Sequence, residues 1–454
     1  MTLFSFSPLP PQIRTLALSS LVIASLLGLA SPIKTQAATE MASFKDSPKA
    51  VLDEAWQIVN QEYVDNTFNQ VDWQVTRQEL LGREYTSSEA AYAALRLALR
   101  QLNDPYTRFL SPAEYADLTD QTSGEVSGIG VRLQYDSQTR GVVISEILTD
   151  SSAQSAGLVV GDRILLVDGE STDHLTVDSV SQRLRGTNGS QVMVTISRNG
   201  DSPRSLMVTR SRLEIPTVEY ALKTSGQQTI GYIRLIEFNA QAAQQMEKAI
   251  RSLTAQGVKG FVLDLRGNPG GLLMSSIDIG RMWLQHGPIV RTQDRNGTDD
   301  TISANRTALT QLPLTILVDR RSASSSEILT GALRDHNRAT IVGAPTFGKA
   351  LVQSLHGLSD GSGLTVTVAH YFTPNGTDIS RRGIAPDVPI ELTDVQRSQL
   401  FSDPSQLGTK ADIQYLKAVQ VLEQTIIAQS EARRPRQLSE ARLSTGVVQS
   451  ERTR

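Results

Sequence analysis

The chain has 454 residues, a formal net charge of −3 and no cysteine. The absence of cysteine excludes disulfides, zinc–thiolate sites and a thiol nucleophile. A charge this close to neutral gives no electrostatic reason to expect nucleic acid or an anionic membrane surface as a partner. At roughly 150 residues per domain, the length favours about three domains.

The N-terminus has the pattern of a secretion signal. Arg14 precedes an uncharged apolar run, residues 16–30, and Ser31-Pro32 and Thr35-Gln36-Ala37-Ala38 follow, with a small-residue cleavage site near Ala37. A positive segment, a short apolar segment and small residues are typical of a cleaved signal peptide. The apolar run is shorter than the roughly 20 residues that span a bilayer. We therefore predict a signal peptide over residues 1–38 and export of the protein, with an uncleaved membrane anchor as the alternative.

Residues 39–118 are predicted to be a helical N-terminal region. Val51, Ala55 and Val59 recur at helical spacing, and a second helix begins at a serine cap near Ser87. Residues 119–213 differ, because short β-rich runs are separated there by Gly, Asp and Asn. This pattern predicts a small β domain, with short helices near residues 153–156 and 176–183.

Residues 214–395 alternate between predicted strands and helices, which is the pattern of a largely parallel α/β layer. Residues 396–454 contain one predicted helix, at about 411–429, followed by a polar, Arg-rich tail that we expect to be disordered. The predicted fold class is therefore an α/β multidomain protein.

The segment RRSASSSEILTGALRDHNRATIVGAPTFGKALVQS, residues 320–354, places a serine-rich turn between a predicted strand and a predicted helix. This arrangement exposes a side chain at the carboxyl edge of a parallel sheet, beside a positive helix N-terminus. The helix leads away from the serines and the strand 340–344 returns, so Lys349 can reach the edge where Ser324 lies. A neutral lysine can accept the proton of a serine hydroxyl if burial lowers its pKa. The alternatives are an ordinary helix cap and a solvated turn.

A glycine-rich turn follows another buried strand, in GFVLDLRGNPGGLL at residues 260–273. Backbone N–H groups in such a turn, before a helix, form a candidate oxyanion hole. A phosphate-binding loop is excluded because no Gly-Lys-Ser/Thr follows. The five histidines are interpreted as structural, since none stands in a nucleophile-elbow order and no G-x-S-x-G occurs.

The stretch SASSSEILTGALRDHNRATIVGAPTFGKALVQ resembles the carboxyl-terminal processing, or tail-specific, serine peptidases of bacterial and cyanobacterial type. DPYTRFLSP, SGIGV, AGLVVGDRILLVDG, DLRGNPGGLL and RRGIAPDV also fit, in the family's order, over roughly residues 50–395. The resemblance implies a crotonase-like or ClpP-like α/β core that needs no metal or organic cofactor. It also implies Ser324 as nucleophile, Lys349 as base, Gln353 as the residue that orients the lysine, and Gly271 and Ser325 as oxyanion donors. Ser325 stands where the family has alanine, which leaves open which serine attacks.

Residues 119–213 resemble a PDZ domain, a β-barrel-like module that adds a peptide as an extra strand and captures its terminal carboxylate on loop N–H groups. In SGIGV, Gly128 and Gly130 would expose these amides, and Ile129 and Val131 would line an apolar pocket. Without this context, a simple hairpin turn would be the default for Gly-x-Gly.

The implied function is that of an exported serine endopeptidase that recognises proteins with apolar C-terminal tails and cleaves near the tail. The segment WQIVNQEYVD is similar to a segment of enzymes of photosynthetic bacteria. Those enzymes trim a photosystem II reaction-centre precursor, a membrane protein, in the thylakoid lumen. A general periplasmic protease is equally open. Two alternatives remain: a non-catalytic PDZ adaptor on a peptidase scaffold, and a crotonase-like enzyme acting on thioesters. The sequence makes no prediction of oligomeric state.

Overall fold

This computed structural model describes residues 47–226 and 228–449, with side chains as far as residue 432. The predicted signal peptide, residues 1–38, lies outside the described residues. Within these ranges, no helix combines the length and apolar character needed to cross a bilayer.

Helices form most of the region before the PDZ-like part. The first is capped by Ser47, whose hydroxyl accepts the backbone N–H of Lys49. Trp56 and Trp73 join the first two helices, because each indole N–H donates to the other residue's carbonyl. The prediction of helix throughout is wrong at β1 (Arg108–Leu110), a strand that pairs with the C-terminal half of the protein. The helices are α1 (Pro48–Glu62), α2 (Trp73–Gly82), α3 (Ser88–Arg100) and α4 (Pro112–Ser123).

The PDZ-like part is a small antiparallel β structure with two short helices. Its β3 stands at the edge of the sheet and, within residues 47–226 and 228–449, pairs with β4 alone, which leaves the second edge of β3 open beside α6. Strands β2 and β9 pair separately and connect this part to the rest of the chain. The elements are β2 (Glu125–Gly128), β3 (Val131–Asp136), β4 (Gly141–Ile147), α5 (Ser152–Ser155), β5 (Arg163–Val167), β6 (Glu170–Ser171), α6 (Val177–Leu184), β7 (Gln191–Ser197), β8 (Arg204–Thr209) and β9 (Ser211–Glu214).

The predicted parallel α/β layer is confirmed as a six-stranded sheet in the order β10-β11-β12-β15-β16-β19, parallel except for β10. Strands β12 and β15 are buried along their whole length, as their continuous apolar runs require. The elements are β10 (Val218–Ser225), β11 (Gln228–Leu235), α7 (Ala242–Ala255), β12 (Gly260–Asp264), α8 (Leu273–Trp283), β15 (Leu314–Val318), α9 (Ser325–Asp335), β16 (Thr340–Gly343) and β19 (Val388–Pro389).

A second, antiparallel sheet was not predicted from the sequence. It has the order β1-β18-β13-β14, with β17 paired to the other side of β18. Among the described residues β17 pairs only with β18, so no described strand covers its second edge, called its open edge. The strands are β13 (Pro288–Asp294), β14 (Asp299–Ser303), β17 (Leu351–Gly357) and β18 (Gly363–Phe372).

The C-terminal segment differs from the prediction of one helix and a disordered tail. An additional helix, α10 (Asp394–Ser402), begins at Thr393, whose hydroxyl and the Gln396 side chain form a reciprocal cap. The last helix, α11 (Ile413–Gln449), extends through the segment that is expected from composition to be disordered. The tail is rich in Arg and also contains Glu, Leu, Ala and Gln, all of which are good helix formers, so a polar composition alone does not exclude a helix.

Candidate active site

The serine turn follows β15 and ends at Ser324, the residue before α9. Ser324 has φ 54° and ψ −115°, a conformation that costs a non-glycine residue on the order of 1–3 kcal/mol. Its backbone N–H donates to Glu327 Oε2 at 3.0 Å, which helps to hold this conformation. The serine is therefore presented at the helix N-terminus by a strained, side-chain-supported turn.

The neighbouring serines have structural bonds. The hydroxyls of Ser322, Ser325 and Ser326 each donate to a backbone carbonyl within residues 265–271, at 2.8 to 3.1 Å. These bonds fasten the serine turn to the glycine-rich turn. They also leave Ser324, which lines the adjacent cavity, as the serine best suited to attack a substrate.

Lys349 lies on the loop after β16 and reaches the same cavity as Ser324. Its Nζ is 4.4 Å from the centroid of the Tyr106 ring. Burial lowers the pKa of Lys349 below its ordinary value. The charge of Arg108 acts in the same direction, whereas the carboxylate of Asp104 raises this pKa. The net effect favours the neutral amine that a general base requires.

Glu327 connects the serine turn to the lysine loop. The carboxylate is fully buried and accepts the backbone N–H groups of Ser324, Gly348 and Lys349 and the hydroxyl of Thr346. Burial raises the pKa of Glu327, and the four donors partly offset that rise because they bind the ionised form. The sequence signal for this role is the acid three residues after a helix cap, a pattern that by itself indicates only a capping box.

Tyr371 is a second residue that the sequence analysis missed. Its hydroxyl lies 3.2 Å from the carbonyl oxygen of Ser324 and also contacts the carbonyl oxygen of Lys349. Burial raises the pKa of Tyr371 well above its ordinary value, so the phenol stays protonated and can donate. Gln353 lines the cavity, but its amide lies 3.5 Å from the Thr367 hydroxyl, and no hydrogen bond to Lys349 Nζ is formed among the described contacts.

The glycine-rich turn borders the same cavity as the lysine. Phe238 donates to Gly270 O at 2.9 Å and accepts from the backbone of Leu272 at 2.6 Å, so the peptide groups flanking Gly271 are fixed. Gly270 has φ +104°, and a Cβ there would lie 2.8 Å from the Cβ of Ser324. The turn can approach the nucleophile this closely only because Gly270 has no side chain.

A buried ionic network lies directly before the glycine-rich turn in the chain. The guanidinium of Arg266 lies 2.6 Å from carboxylate oxygens of both Asp264 and Asp412, and all three side chains are almost completely buried. Burial alone would raise the pKa of Asp264, but Arg266 outweighs it and holds that pKa below its ordinary value. The network connects the end of β12 to the segment preceding α11.

The cavity that contains the candidate catalytic residues, named the catalytic cavity after them, has a volume of about 550 Å³ and is lined by five residues predicted from the sequence. Most of the remaining lining is apolar, and the wall includes neither an acidic side chain nor a histidine from the described part of the chain. The predicted residues that line it are Ser324, Lys349, Gln353, Gly271 and Ser325.

The four predicted PDZ residues lie at a separate, smaller cavity of about 120 Å³. Gly128, Ile129, Gly130 and Val131 line it together with residues of α6. The open edge of β3 borders this groove, as strand addition of a peptide requires. The helix α4 connects the two cavities along the chain. Its Leu118 and Thr122 line the catalytic cavity, and the chain continues from α4 into β2.

Two of the five histidines take part in structural contacts. His336 Nε2 lies 2.7 Å from Pro288 O, and His356 Nε2 lies 2.9 Å from a carboxylate oxygen of Glu62. In the part of the chain that the structure describes, no group of three or more His, Cys, Asp or Glu is arranged to hold a metal.

Comparison with known proteins gives two family matches. Residues 229–390 match peptidase family S41, and residues 117–197 match the PDZ domain. The carboxyl-terminal-processing protease of Synechocystis is 40% identical over 382 residues, covering 84% of this chain and 88% of that protein. The chloroplastic carboxyl-terminal-processing peptidase 2 of Arabidopsis thaliana is 39% identical, covering 74% of this chain and 68% of that protein.

Among solved structures, one named photosystem II D1 C-terminal processing protease is 37% identical, with a TM-score of 0.48, and covers 76% of this chain and 93% of its own. The extent of the relationship to the Synechocystis protein confirms the resemblance seen in the motifs. The chain contains a PDZ domain, belongs to peptidase family S41 and is a serine peptidase related to carboxyl-terminal-processing proteases.

Proposed function

We propose that the protein is an exported endopeptidase that cleaves protein substrates near their C-termini with a Ser324–Lys349 dyad. The observation that carries the proposal is that both side chains line one cavity, with Lys349 half-buried and its pKa lowered. The bonds of both backbones to the Glu327 carboxylate support it, because they limit relative movement of the two groups.

The chemistry is acyl transfer. Neutral Lys349 accepts the proton of the Ser324 hydroxyl while the oxygen attacks the scissile carbonyl carbon. The backbone N–H groups of Gly271 and Ser325 stabilise the oxyanion of the tetrahedral intermediate. The charged lysine then protonates the leaving amine as the C–N bond breaks, and water hydrolyses the acyl-enzyme in a second cycle of the same groups. Gln353 lines the cavity near the lysine and is proposed to orient its amine.

The substrate is delivered as an extended strand. An apolar C-terminal tail binds along the open edge of β3, with its carboxylate on the amides of the Gly128–Val131 loop. The preceding residues enter the catalytic cavity, where the open edge of β17 offers unpaired backbone groups to an extended peptide. The apolar lining of both cavities supports a preference for apolar tails.

The named relatives support a substrate class and a compartment. They include cyanobacterial and chloroplastic carboxyl-terminal-processing enzymes. We propose the thylakoid lumen or the periplasm as the compartment, with a photosystem II reaction-centre precursor among the substrates.

The test is a comparison of envelope and membrane proteins treated with the wild type or with Ser324→Ala, followed by mass spectrometry of new C-termini. The proposal predicts new C-termini near the original tails with the wild type alone. Equal peptide patterns in both samples, with tail peptides still bound, would favour the non-catalytic adaptor instead. Ser402→Ala, an exposed serine on α10, is the matched control and retains wild-type cleavage.

A further inference from the structure

Arg108 stands out among the residues lining the catalytic cavity. It lies on β1, two residues after Tyr106, and its backbone is fixed opposite Thr365 of β18. Both Arg108 and Thr365 line the cavity, whereas the next residue of β1, Phe109, is buried in the core. The alternation of side chains along a strand therefore presents the arginine to the substrate.

Arg108 has no ion-pair partner in the part of the chain that the structure describes. No carboxylate among the described residues lies within 4 Å of its guanidinium, whereas Arg96, which lies over the ring of Phe109, pairs with Glu114. Its side chain also takes no part in the hydrogen bonds formed within the described part of the chain. An exposed guanidinium on a cavity wall without an internal partner is available to a ligand.

The cavity itself is suited to an anion. Its lining includes two basic side chains, Arg108 and Lys349, and no Asp or Glu from the residues that the structure describes. In the proposed mechanism Lys349 is neutral before the reaction begins, so Arg108 is the permanent positive charge on the wall. A guanidinium binds a carboxylate through two parallel hydrogen bonds, and the apolar surroundings strengthen that attraction.

We propose that Arg108 is a specificity-determining residue that binds a carboxylate of the peptide substrate within the catalytic cavity. The inference rests on the proposed peptidase function and adds a substrate requirement to it. A carboxylate can come from the C-terminus of a short tail or from an Asp or Glu side chain near the scissile bond. The shared chemistry is an oxyanion of planar, bidentate geometry, and a peptide experiment separates the two sources.

The experiment uses one parent peptide that the wild type cleaves, in two matched pairs. In the first pair the C-terminus is a free acid or an amide, and in the second an Asp or an Asn stands beside the scissile bond. The ratio of kcat/KM within each pair is measured for the wild type, Arg108→Gln, Arg108→Lys and the control Arg251→Gln. Arg251 is exposed on α7 and pairs with Glu247. The ratio of kcat/KM within a pair is the readout because a change of charge near Lys349 alters the cleavage of both peptides of a pair by the same factor.

We expect the wild type to favour the carboxylate in at least one pair by about tenfold or more, as a charge-assisted bond would give. Arg108→Gln loses that preference, Arg108→Lys retains part of it, and Arg251→Gln retains it fully. The pair that discriminates identifies the source of the carboxylate. Absence of any preference in the wild type, or a preference that survives in Arg108→Gln, overturns the proposal. A preference for terminal acids that arises in the PDZ groove would survive in this way.

Binding separates this inference from the proposed function. The same peptide pairs are titrated with two proteins, and fluorescence anisotropy is the signal. The first protein is the Ser324→Ala variant, and the second is the double variant Ser324→Ala and Arg108→Gln. The expected result is a carboxylate preference in the first protein that is lost in the second. If the wild type cleaves no peptide but this difference in Kd holds, the peptidase proposal fails while Arg108 remains a carboxylate site. Equal Kd ratios in both proteins overturn the Arg108 proposal alone.

Discussion

Lys349 donates its backbone N–H to the buried carboxylate of Glu327 at 2.9 Å. The same carboxylate oxygen accepts the N–H of Ser324, so one acid fixes the backbones of the proposed base and nucleophile. A carboxylate with four donors is suited to this task because each of its oxygens accepts two hydrogen bonds without a proton of its own. The relative position of the dyad therefore depends on a residue that does not contact the substrate.

Glu327→Gln is expected to lower kcat by about 10²-fold while KM changes little, because the amide nitrogen would face backbone donors and displace the turn. The negative charge of Glu327 raises the pKa of Lys349, so its removal lowers that pKa. The acid limb of the kcat/KM profile should then move to lower pH. Profiles of the wild type, Glu327→Gln and the partly exposed control Glu247→Gln on α7 check both effects. An acid limb that moves to higher pH would contradict the electrostatic role.

Ser325→Ala should retain kcat within about tenfold, because the substitution removes one neutral hydrogen bond, to Gly271 O. Ser324→Ala should lose cleavage altogether. Measuring both variants on one peptide identifies the attacking serine. The assignment is wrong if Ser325→Ala is inactive and Ser324→Ala turns over.

Gly270→Ala should lower kcat by about 10²-fold, since its new Cβ would lie 2.8 Å from Ala323 O and the Cβ of Ser324. Gly297→Ala is the matched control. Gly297 also has a positive φ, +74°, but a Cβ added there would meet no described atom within 4 Å, so it carries the backbone strain alone, about 1 kcal/mol. Steady-state kinetics and thermal melts of both variants separate the two effects. Equal activity in the two variants would show that the close approach to Ser324 is unimportant.

Asp412→Asn should lower the free energy of unfolding by about 3–5 kcal/mol, because it leaves the buried Arg266 charge with one carboxylate, Asp264, beside the neutral Gln414. Asp394→Asn removes an exposed partner of Arg397 and should change stability by less than about 1 kcal/mol. Denaturant unfolding of both variants measures the difference. Similar values for the two would mean that the buried network does not anchor the C-terminal segment.

The parallel layer and the residues that meet at its edge could be predicted from the sequence. Buried strands and helical spacing are local signals, and the strand–turn–helix pattern around Ser324 is visible in a few residues. The return of Lys349 to the same cavity also follows from element lengths. Gln353 is expected to orient the lysine, and that role remains a prediction.

The second sheet and the supporting contacts depend on long-range pairing, which local patterns do not report. The strand β1 falls in a region whose local pattern is helical, and its partner, β18, lies more than 250 residues later. The contacts of Tyr371 and Arg266 likewise join segments that are distant in the chain. For the same reason the sequence does not distinguish Arg108 from an ordinary surface arginine, because only the pairing of β1 places it at the cavity.

The central claim is that Lys349 is the base for Ser324, and the direct measurement is the kcat of Lys349→Ala on a peptide that the wild type cleaves. We expect a loss of about 10³-fold or more, with the melting temperature and the Kd for a tail peptide unchanged. Lys248→Ala, an exposed lysine on α7, is the control and should retain full activity. A Lys349→Ala variant that keeps about a tenth or more of the wild-type kcat would contradict the dyad.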